Sequence, residues 1–416
     1  DFWDNDQRHS TLRVLPAAQA EENVSDATLS QIEIDGYNSS VFHNGNLSYV
    51  VSSVQTEVPC DSSSGPSNTV PSSGGTSTCY NWTQEIQVVD RTGNTAVKRG
   101  KMDLPISPGY WYSSWGWYGC YAWDWFGGSD VLQVNNDALV FRRWLPQYAT
   151  DGTYVDASTA LYVVDLANPD APSLASTLIT DKLDAWWGNM RTVKDKLYVS
   201  HYDWVTQPRS DGTTYDPGIV RYYLDQIDLS DRAHPSIGAK INVPGILVGA
   251  DDTDPTIVYT MDYEWANNQT TNRFNVLKLQ GSTAYLQSSI PINGWVGNTF
   301  VQGSTAYFSV QSYDNDSGVS SLSLYQVDVS DPSHPAPLPS APAQGWGWLL
   351  GVQGDRAFVT SGWGNAGIDV FRLEAGKAPV FDQFIRVRGW WANSLARQNN
   401  QLFIASGYWG TQVVNL

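Results

Sequence analysis

Basic residues are scarce in this chain: 24 Lys and Arg stand against 42 Asp and Glu, a formal net charge of -18. Such a surface repels a polyphosphate backbone, so nucleic acid is a poor partner. No run of about 18 apolar residues is present, and no transmembrane helix is predicted. No signal peptide opens the sequence, and Asp1 reads as a processed or trimmed end, with part of a larger precursor or assembly as the implied context. Histidine numbers five and cysteine three, and neither clusters at zinc or copper spacing. A nucleophile elbow, a phosphate loop, a zinc-binding helix motif and a sialidase-type Asp box are also missing, so no ready-made catalytic constellation is visible and none of the residues is assigned a catalytic role.

Aromatics are plentiful instead. They make up 13% of the residues, with 19 Trp, in a chain that is 41% apolar and contains 35 Gly. This supports β structure with a substantial core and long polar loops. A Gly/Asn/Asp-rich turn between two strands recurs seven times: "FHNGNLSYV" from 42, "LQVNNDALVF" from 132, "TVKDKLYVS" from 192, "GADDTDPTIVYT" from 249, "FVQGSTAYFSV" from 300, "GVQGDRAFVT" from 351 and "ARQNNQLFIA" from 396. A second motif follows, an apolar strand ending in Asp and then a Pro turn: "LYVVDLANPDAPS" from 161, "LDQIDLSDRAHPS" from 224 and "LYQVDVSDPSHPA" from 324. A third leads through Gly, Ala and often Trp into the next copy: "ITDKLDAWWGN" from 179, "KINVPGILVG" from 240, "SIPINGWVGN" from 289, "PAQGWGWLLG" from 342 and "FIRVRGWWANS" from 384.

Each unit therefore reads as four antiparallel strands, and seven such units predict an all-β, seven-bladed β-propeller. The last unit ends at Leu416 with three strands, and "TLSQIEIDGYNSS" from 28 matches the third motif, so an N-terminal strand is expected to close the ring. The expected organisation is one propeller over residues 28–416, preceded by a repeat-free leader or linker over 1–27. Residues 54–83, 110–128, 144–158 and 204–218 interrupt the repeats and read as loops.

The segments "VVDLANPDAP", "IDLSDRAHP" and "VDVSDPSHPAP" resemble LVIVD-type repeats and the secreted β-propeller family distantly related to WD-repeat proteins. The resemblance implies a propeller that is secreted or attached to the cell surface. It brings no catalytic residues with it, and no unit has the Gly-His and Trp-Asp pairs of true WD repeats.

In a propeller, two classes of connection share one end, usually the functional one. The first holds Trp186, Trp187, Trp295, Trp346, Trp348, Trp390 and Trp391, and the second holds Trp204, Trp265, Trp363 and Trp409. The insertion over 110–128 adds Trp111, Trp115, Trp117, Trp123 and Trp125. At the Gly-Trp positions of the first class, packing between blades is the expected role. For the second class, an exposed platform is expected, suited to the apolar faces of sugars or to another surface protein.

Cys60 and Cys79 bracket a Ser/Gly/Pro/Thr stretch and are expected to form a disulfide, worth roughly 3 kcal/mol on a loop-entropy basis and placing the chain outside the reducing cytosol, with Cys120 as an alternative partner. Calcium is the only cofactor suggested, through Asp314 and Asp316 of "YDNDSG", but the downstream acid of an EF-hand is missing and a solvated turn fits better. Asp251, Asp252 and Asp254 read the same way. His234 and His334 occupy equivalent Pro turns, whereas His201 is the histidine that could face the Trp-rich end. The leading expectation is a non-catalytic recognition or adhesion module. A carbohydrate-active enzyme using loop carboxylates, Asp124 with Asp130 or Asp203 with Asp262, and a structural subunit of an extracellular assembly are the alternatives.

Overall fold

The structure, a computed structural model, describes residues 2–4, 7–14, 30–59, 70–71, 78–104, 131–148, 154–181, 189–208, 214–266, 269–314, 319–343, 347–361, 367–387, 392, 394–398, 400–405 and 411–416. Among the described residues every regular element is a β-strand apart from a 3-10 turn at Thr92–Asn94. The chain is a seven-bladed β-propeller in its fold class. It divides into two compact units, one over Asp1–Ala122 and Gln133–Ile179 and the other over Trp123–Leu132 and Thr180–Leu416.

The first unit opens with a three-stranded sheet of β1 (Phe2–Asp4), β2 (Gln7–Val14) and β3 (Ser30–Asp35). Blade one follows, with β4 (Tyr37–Asn44), β5 (Leu47–Pro59), β6 (Val70–Pro71), β7 (Thr78–Asp90) and β8 (Val97–Leu104). Blade two holds β9 (Val131–Val134), β10 (Ala138–Tyr148), β11 (Tyr154–Asp165) and β12 (Ser173–Asp181). The leader expected to carry no repeat thus contributes two strands. β3, the expected closing strand, pairs along its whole length with β2, from His9 opposite Asp35 to Val14 opposite Ser30. It lies against blade one through Leu12, Val14, Ile32 and Ile34, which meet Val50, Val89 and Ala96.

A charged clasp accompanies this apolar contact. The ammonium of Lys101 bridges the Asp35 carboxylate at 3.1 Å and, more closely, that of Glu85, whose side chain is almost wholly buried. Blades one and two are tied by Arg99, which donates to both carboxylate oxygens of Asp170 at 2.5 and 2.6 Å and to Asp90 at 3.1 Å.

The second unit contains the other five blades. Blade three has β13 (Met190–Val193), β14 (Lys196–Pro208) and β15 (Thr214–Asp228), with an outer strand broken into β16 (Ser236–Ile237) and β17 (Ile241–Val243). Blade four is β18 (Ile246–Ala250), β19 (Ile257–Ala266), β20 (Gln269–Gln280) and β21 (Thr283–Asn293). Blade five is β22 (Trp295–Gln302), β23 (Thr305–Asp314), β24 (Val319–Asp328) and β25 (Ala336–Ala343). Blade six is β26 (Leu349–Gln353), β27 (Arg356–Ser361), β28 (Gly367–Arg372) and β29 (Val380–Arg386). Blade seven shows three strands, β30 (Ser394–Gln398), β31 (Gln401–Ala405) and β32 (Thr411–Asn415).

A blade buries its faces against its neighbours, and alternation along each strand supplies both faces. Between blades four and five, Tyr259, Phe274, Phe308 and Tyr325 stack in sequence with ring centroids 5.6, 5.8 and 6.1 Å apart. Leu349 and Phe371 of blade six join Tyr307, Leu322 and Leu324 of blade five. Ile368 and Val370 of blade six meet Leu402 and Ile404 of blade seven.

The repeated Asp-Pro motif is explained by local hydrogen bonding. Asp165, Asp228 and Asp328 each end the third strand of a blade, and each Oδ1 accepts the backbone N–H two residues on, from Ala167, Ser230 and Ser330 at 3.0, 3.0 and 2.9 Å. A second such turn follows at Asn168, Asp231 and Asp331, whose side-chain oxygens take the amides of Asp170, Ala233 and Ser333. His234 and His334 complete it, each Nδ1 lying 3.1 or 2.9 Å from Asp231 or Asp331, exposed at equivalent places. Asp251 and Asp254 hold the blade-four turn in the same manner, accepting from Thr253 at 2.8 Å and Thr256 at 2.9 Å.

Three of the insertions expected to be loops are in part continuations of the strands. β5 and β7 stay in register to Pro59 opposite Thr78, whereas β10 and β11 stay paired to Tyr148 opposite Tyr154, and β14 and β15 to Pro208 opposite Thr214, each across a shift of register. An antiparallel ladder can outrun its sheet because the hydrogen bonds are supplied by the two strands alone. The insertion over 110–128 lies outside the described residues, as do Cys60 and Cys120; Cys79 sits in β7 with its backbone opposite Val58.

Two outcomes follow from this packing. Phe308→Ala removes the centre of the aromatic stack and is expected to cost about 3–5 kcal/mol in denaturant unfolding. Burial raises the pKa of Glu85 above the ordinary glutamate value, against the pull of Lys101 and with help from Asp35 and Asp103. The folded state therefore holds that proton more tightly than the unfolded one, and its contribution to stability is lost as pH rises through the folded value. Glu85→Gln is expected to gain on the wild type in thermal midpoint as pH is raised from about 4.5 to 7.5; parallel curves would show that Glu85 carries no such penalty.

Candidate ligand-binding face

Trp295 and Trp348 are the two tryptophans of the predicted face whose side chains are described, at the starts of blades five and six in the second unit. Each stands where the chain enters the inner strand of a blade, after a glycine. At blade five, Gly294 has φ +120° and passes so close to β23 that a Cβ would lie 2.6 Å from the Gln311 carbonyl oxygen. At blade six, Gly347 passes over Thr360, and a Cβ there would stand 1.6 Å from its carbonyl oxygen. No other residue type fits that crossing, which explains the recurrent Gly-Trp pair in physical terms.

The backbone after each glycine is pinned. Trp295 lies opposite Gln311, whose Nε2 donates to the carbonyl of Gly347 at 2.9 Å. Trp348 donates its N–H to Thr360 Oγ1 at 3.1 Å and accepts from the Thr360 N–H at 2.9 Å. Val296 is buried with the residues shared by blades four and five. Strand alternation therefore turns Trp295 the other way, toward blade six.

A bulge opens the ground between them. Val296 pairs with Val310 and Thr299 with Phe308, so Gly297 and Asn298 stand opposite Ser309 alone. A Cβ on Gly297 would lie 3.7 Å from the Cβ of Trp348 and 2.5 Å from Ser309 Oγ. The floor between the tryptophans thus has no side chain at Gly297.

Packing was the expected role at Gly-Trp positions. At these two the residues are partly exposed, Trp295 at 50% and Trp348 at 37%, and the close glycine crossings hold the backbone beneath them. Gln311 and Gly297 were not picked out from the sequence; the signal available was the Gly-Trp repeat itself.

The remaining candidates divide by what is described. Trp204 lies in β14 with its backbone opposite Val220, and Trp265 in β19 opposite Thr270. Trp186, Trp187, Trp346, Trp363, Trp390, Trp391 and Trp409 lie outside the described residues, with Trp111, Trp115, Trp117, Trp123 and Trp125 of the insertion. Asp314 ends β23 opposite Val319, Asp316 lies outside, and no group of three or more His, Cys, Asp or Glu among the described residues is placed to hold a metal.

The carboxylates considered for hydrolysis are placed as follows. Asp203 forms an ion pair with Lys240 at 3.1 Å, and Asp262 lies in β19 with its backbone opposite Arg273. Asp124 and Asp130 are outside the described residues. His201 is buried, its Nδ1 3.1 Å from Asp225 Oδ2 and its ring stacked on Tyr223 at 5.5 Å. Lys240 covers the same tyrosine ring at 3.9 Å. His201 belongs to the body of blade three.

Neither a known protein family nor a curated protein sequence matches the chain. Among solved structures it is similar to a "putative 6-phosphogluconolactonase" of Bacteroides fragilis, with a TM-score of 0.44 at 8% identity over 80% of this chain and 86% of that one. A protein of Bacteroides uniformis with the same description gives 0.43 at 10% identity, over 77% and 84% of the two chains. The acylaminoacyl peptidase of Pyrococcus horikoshii gives 0.40 at 11% identity, over 87% of this chain and 47% of that one. Likenesses this loose carry no activity across.

Exposure predicts how these tryptophans respond to truncation. Trp295→Ala and Trp348→Ala are each expected to change unfolding free energy by less than about 1.5 kcal/mol, well short of a core aromatic. A loss of about 3 kcal/mol or more, the scale of a buried aromatic, would assign both residues a packing role.

Proposed function

We propose that this chain is a non-catalytic recognition module working outside the cytosol, and that its tryptophan face binds a neutral glycan. The observation that supports this reading is the pair of exposed indoles, Trp295 and Trp348, held at equivalent points of neighbouring blades by backbone crossings that only glycine fits. Flat aromatic faces suit the C–H faces of sugar rings, and exposed aromatic surface of this kind marks binding sites. The surplus of 42 acidic over 24 basic residues disfavours anionic polymers. Asp203, the carboxylate considered for hydrolysis, forms an ion pair with Lys240.

The test is a glycan array probed with the wild type and with the Trp295→Ala/Trp348→Ala double variant. The wild type is expected to retain neutral glycans, and the double variant to lose at least about 90% of that signal, a tenfold loss worth about 1.4 kcal/mol, while keeping its unfolding transition. Turnover of a bound polysaccharide would overturn the non-catalytic reading. Capture of a surface protein with no glycan signal would overturn the choice of ligand.

A further inference from the structure

The rim of blade six differs from the rest of the molecule in charge and in what it exposes. From residue 345 onward the sequence holds six basic and four acidic residues, whereas residues 1–344 hold 18 basic and 38 acidic ones. Of those four acids, Asp369 is fully buried, and Asp382 is shared by Arg356 and Arg372 at 3.7 and 3.3 Å. Arg386 is exposed and makes no ion pair among the described residues. On the same strand, β29 exposes Val380 at 49%, Phe381 at 41% and Phe384 at 38%. Both rings are seated: Phe381 meets Phe371 edge-on at 6.0 Å, and Phe384 covers Gly367, where a Cβ would run into the ring. Fixed aromatic rings beside arginine are the residue types that protein interfaces favour.

Most outer strands carry a device that spoils a sheet edge for association. β8 has Lys98 and Lys101, β21 has Pro291, β25 has three prolines, and the outer strand of blade three is broken into pieces of two and three residues. Among the described outer strands of blades one to six, β12 and β29 are the two that hold neither lysine nor proline. They differ in charge. β12 exposes Leu174 at 39% and Ile179 at 62%, contains no basic residue and ends at Asp181. We propose that the rim of blade six docks on a second copy of this chain, at the outer strand of that copy's blade two. Apolar surface then meets apolar surface, and arginine meets an acid-rich neighbour. Pairing two blade-six rims would bring like charges together instead. Whole copies repel one another through a net charge of -18, so the attraction has to be local, within a Debye length of about 8 Å. Because the two faces differ, the contact runs head to tail and propagates from copy to copy.

The experiment is sedimentation velocity over rising protein concentration at about 0.15 M salt. The wild type is expected to form species larger than a dimer. Arg386→Glu, at an exposed position, should weaken that association at least about tenfold. Phe384→Ser and Ile179→Lys, each checked for an unchanged unfolding transition, should stay monomeric on their own. Their equimolar mixture should form a dimer and stop there, because each variant keeps the face that the other has lost. A wild type that is monomeric at every concentration, or a dimer that grows no further, would overturn the proposal. Association unchanged in Arg386→Glu or in Ile179→Lys would overturn it as well.

Discussion

A four-stranded sheet has two faces and very little edge, and neither face can stay in water. Everything else in this molecule depends on how successive sheets cover one another. The solution is a set of shared aromatic and aliphatic layers, such as the stack from Tyr259 through Phe274 and Phe308 to Tyr325, in which each blade contributes residues to a layer it does not own alone. Stability in such a chain is a sum of nearest-neighbour terms, which frees the ends of the strands from the task of making a core.

That freedom is what makes a surface site affordable. The inner strands crowd together, and they do so by dispensing with side chains: Gly249 abuts Val301, Gly297 abuts Trp348 and Gly351 abuts Leu395. At the start of blades five and six a tryptophan follows the close-crossing glycine and is partly exposed, whereas at the start of blade four Ile246 follows Gly245 and is buried. The glycine crossing thus fixes the backbone, and the residue that follows it decides what reaches the surface.

Much of the fold is legible in the sequence because its signals are local. Among the described residues the hairpin turns lie where the Gly/Asn/Asp clusters put them, and residues such as Gly45, Gly303 and Gly354 adopt the positive φ, near +57°, that a tight hairpin requires. The Asp-Pro repeats were readable for the same reason, since a side chain and an amide two residues away form the whole interaction. What could not be read depends on partners distant in the chain. β1 and β2 have no repeat pattern, and they are strands because β3 is available to pair with β2, and β2 in turn with β1. The ribbons that extend β5 with β7 and β14 with β15 pass for loops in the sequence, because the backbone pairing that continues them leaves no local residue pattern. The candidate site was half legible: the Gly-Trp repeat named Trp295 and Trp348, but a glycine-tryptophan pair looks alike whether the indole is sunk or exposed.

The turn aspartates give the negative charge a second meaning. Asp90, Asp228, Asp231, Asp251, Asp254 and Asp331 all have pKa values held below the ordinary carboxylate value by hydrogen bonds from neighbouring side chains and amides; burial opposes them at each, and at Asp251 it is the largest single influence and is outweighed by the bonds together. For Asp228 the value falls to about 2, through Lys196 first and the Ser230 amide next. A depressed folded value means that the stability tied to the ionised form is present above the unfolded value and is given up only as pH falls through the folded one. Part of the acidity that fixes this protein's charge is thus acid-resistant connective material, and its blade edges would stay stitched in surroundings sour enough to protonate an ordinary aspartate.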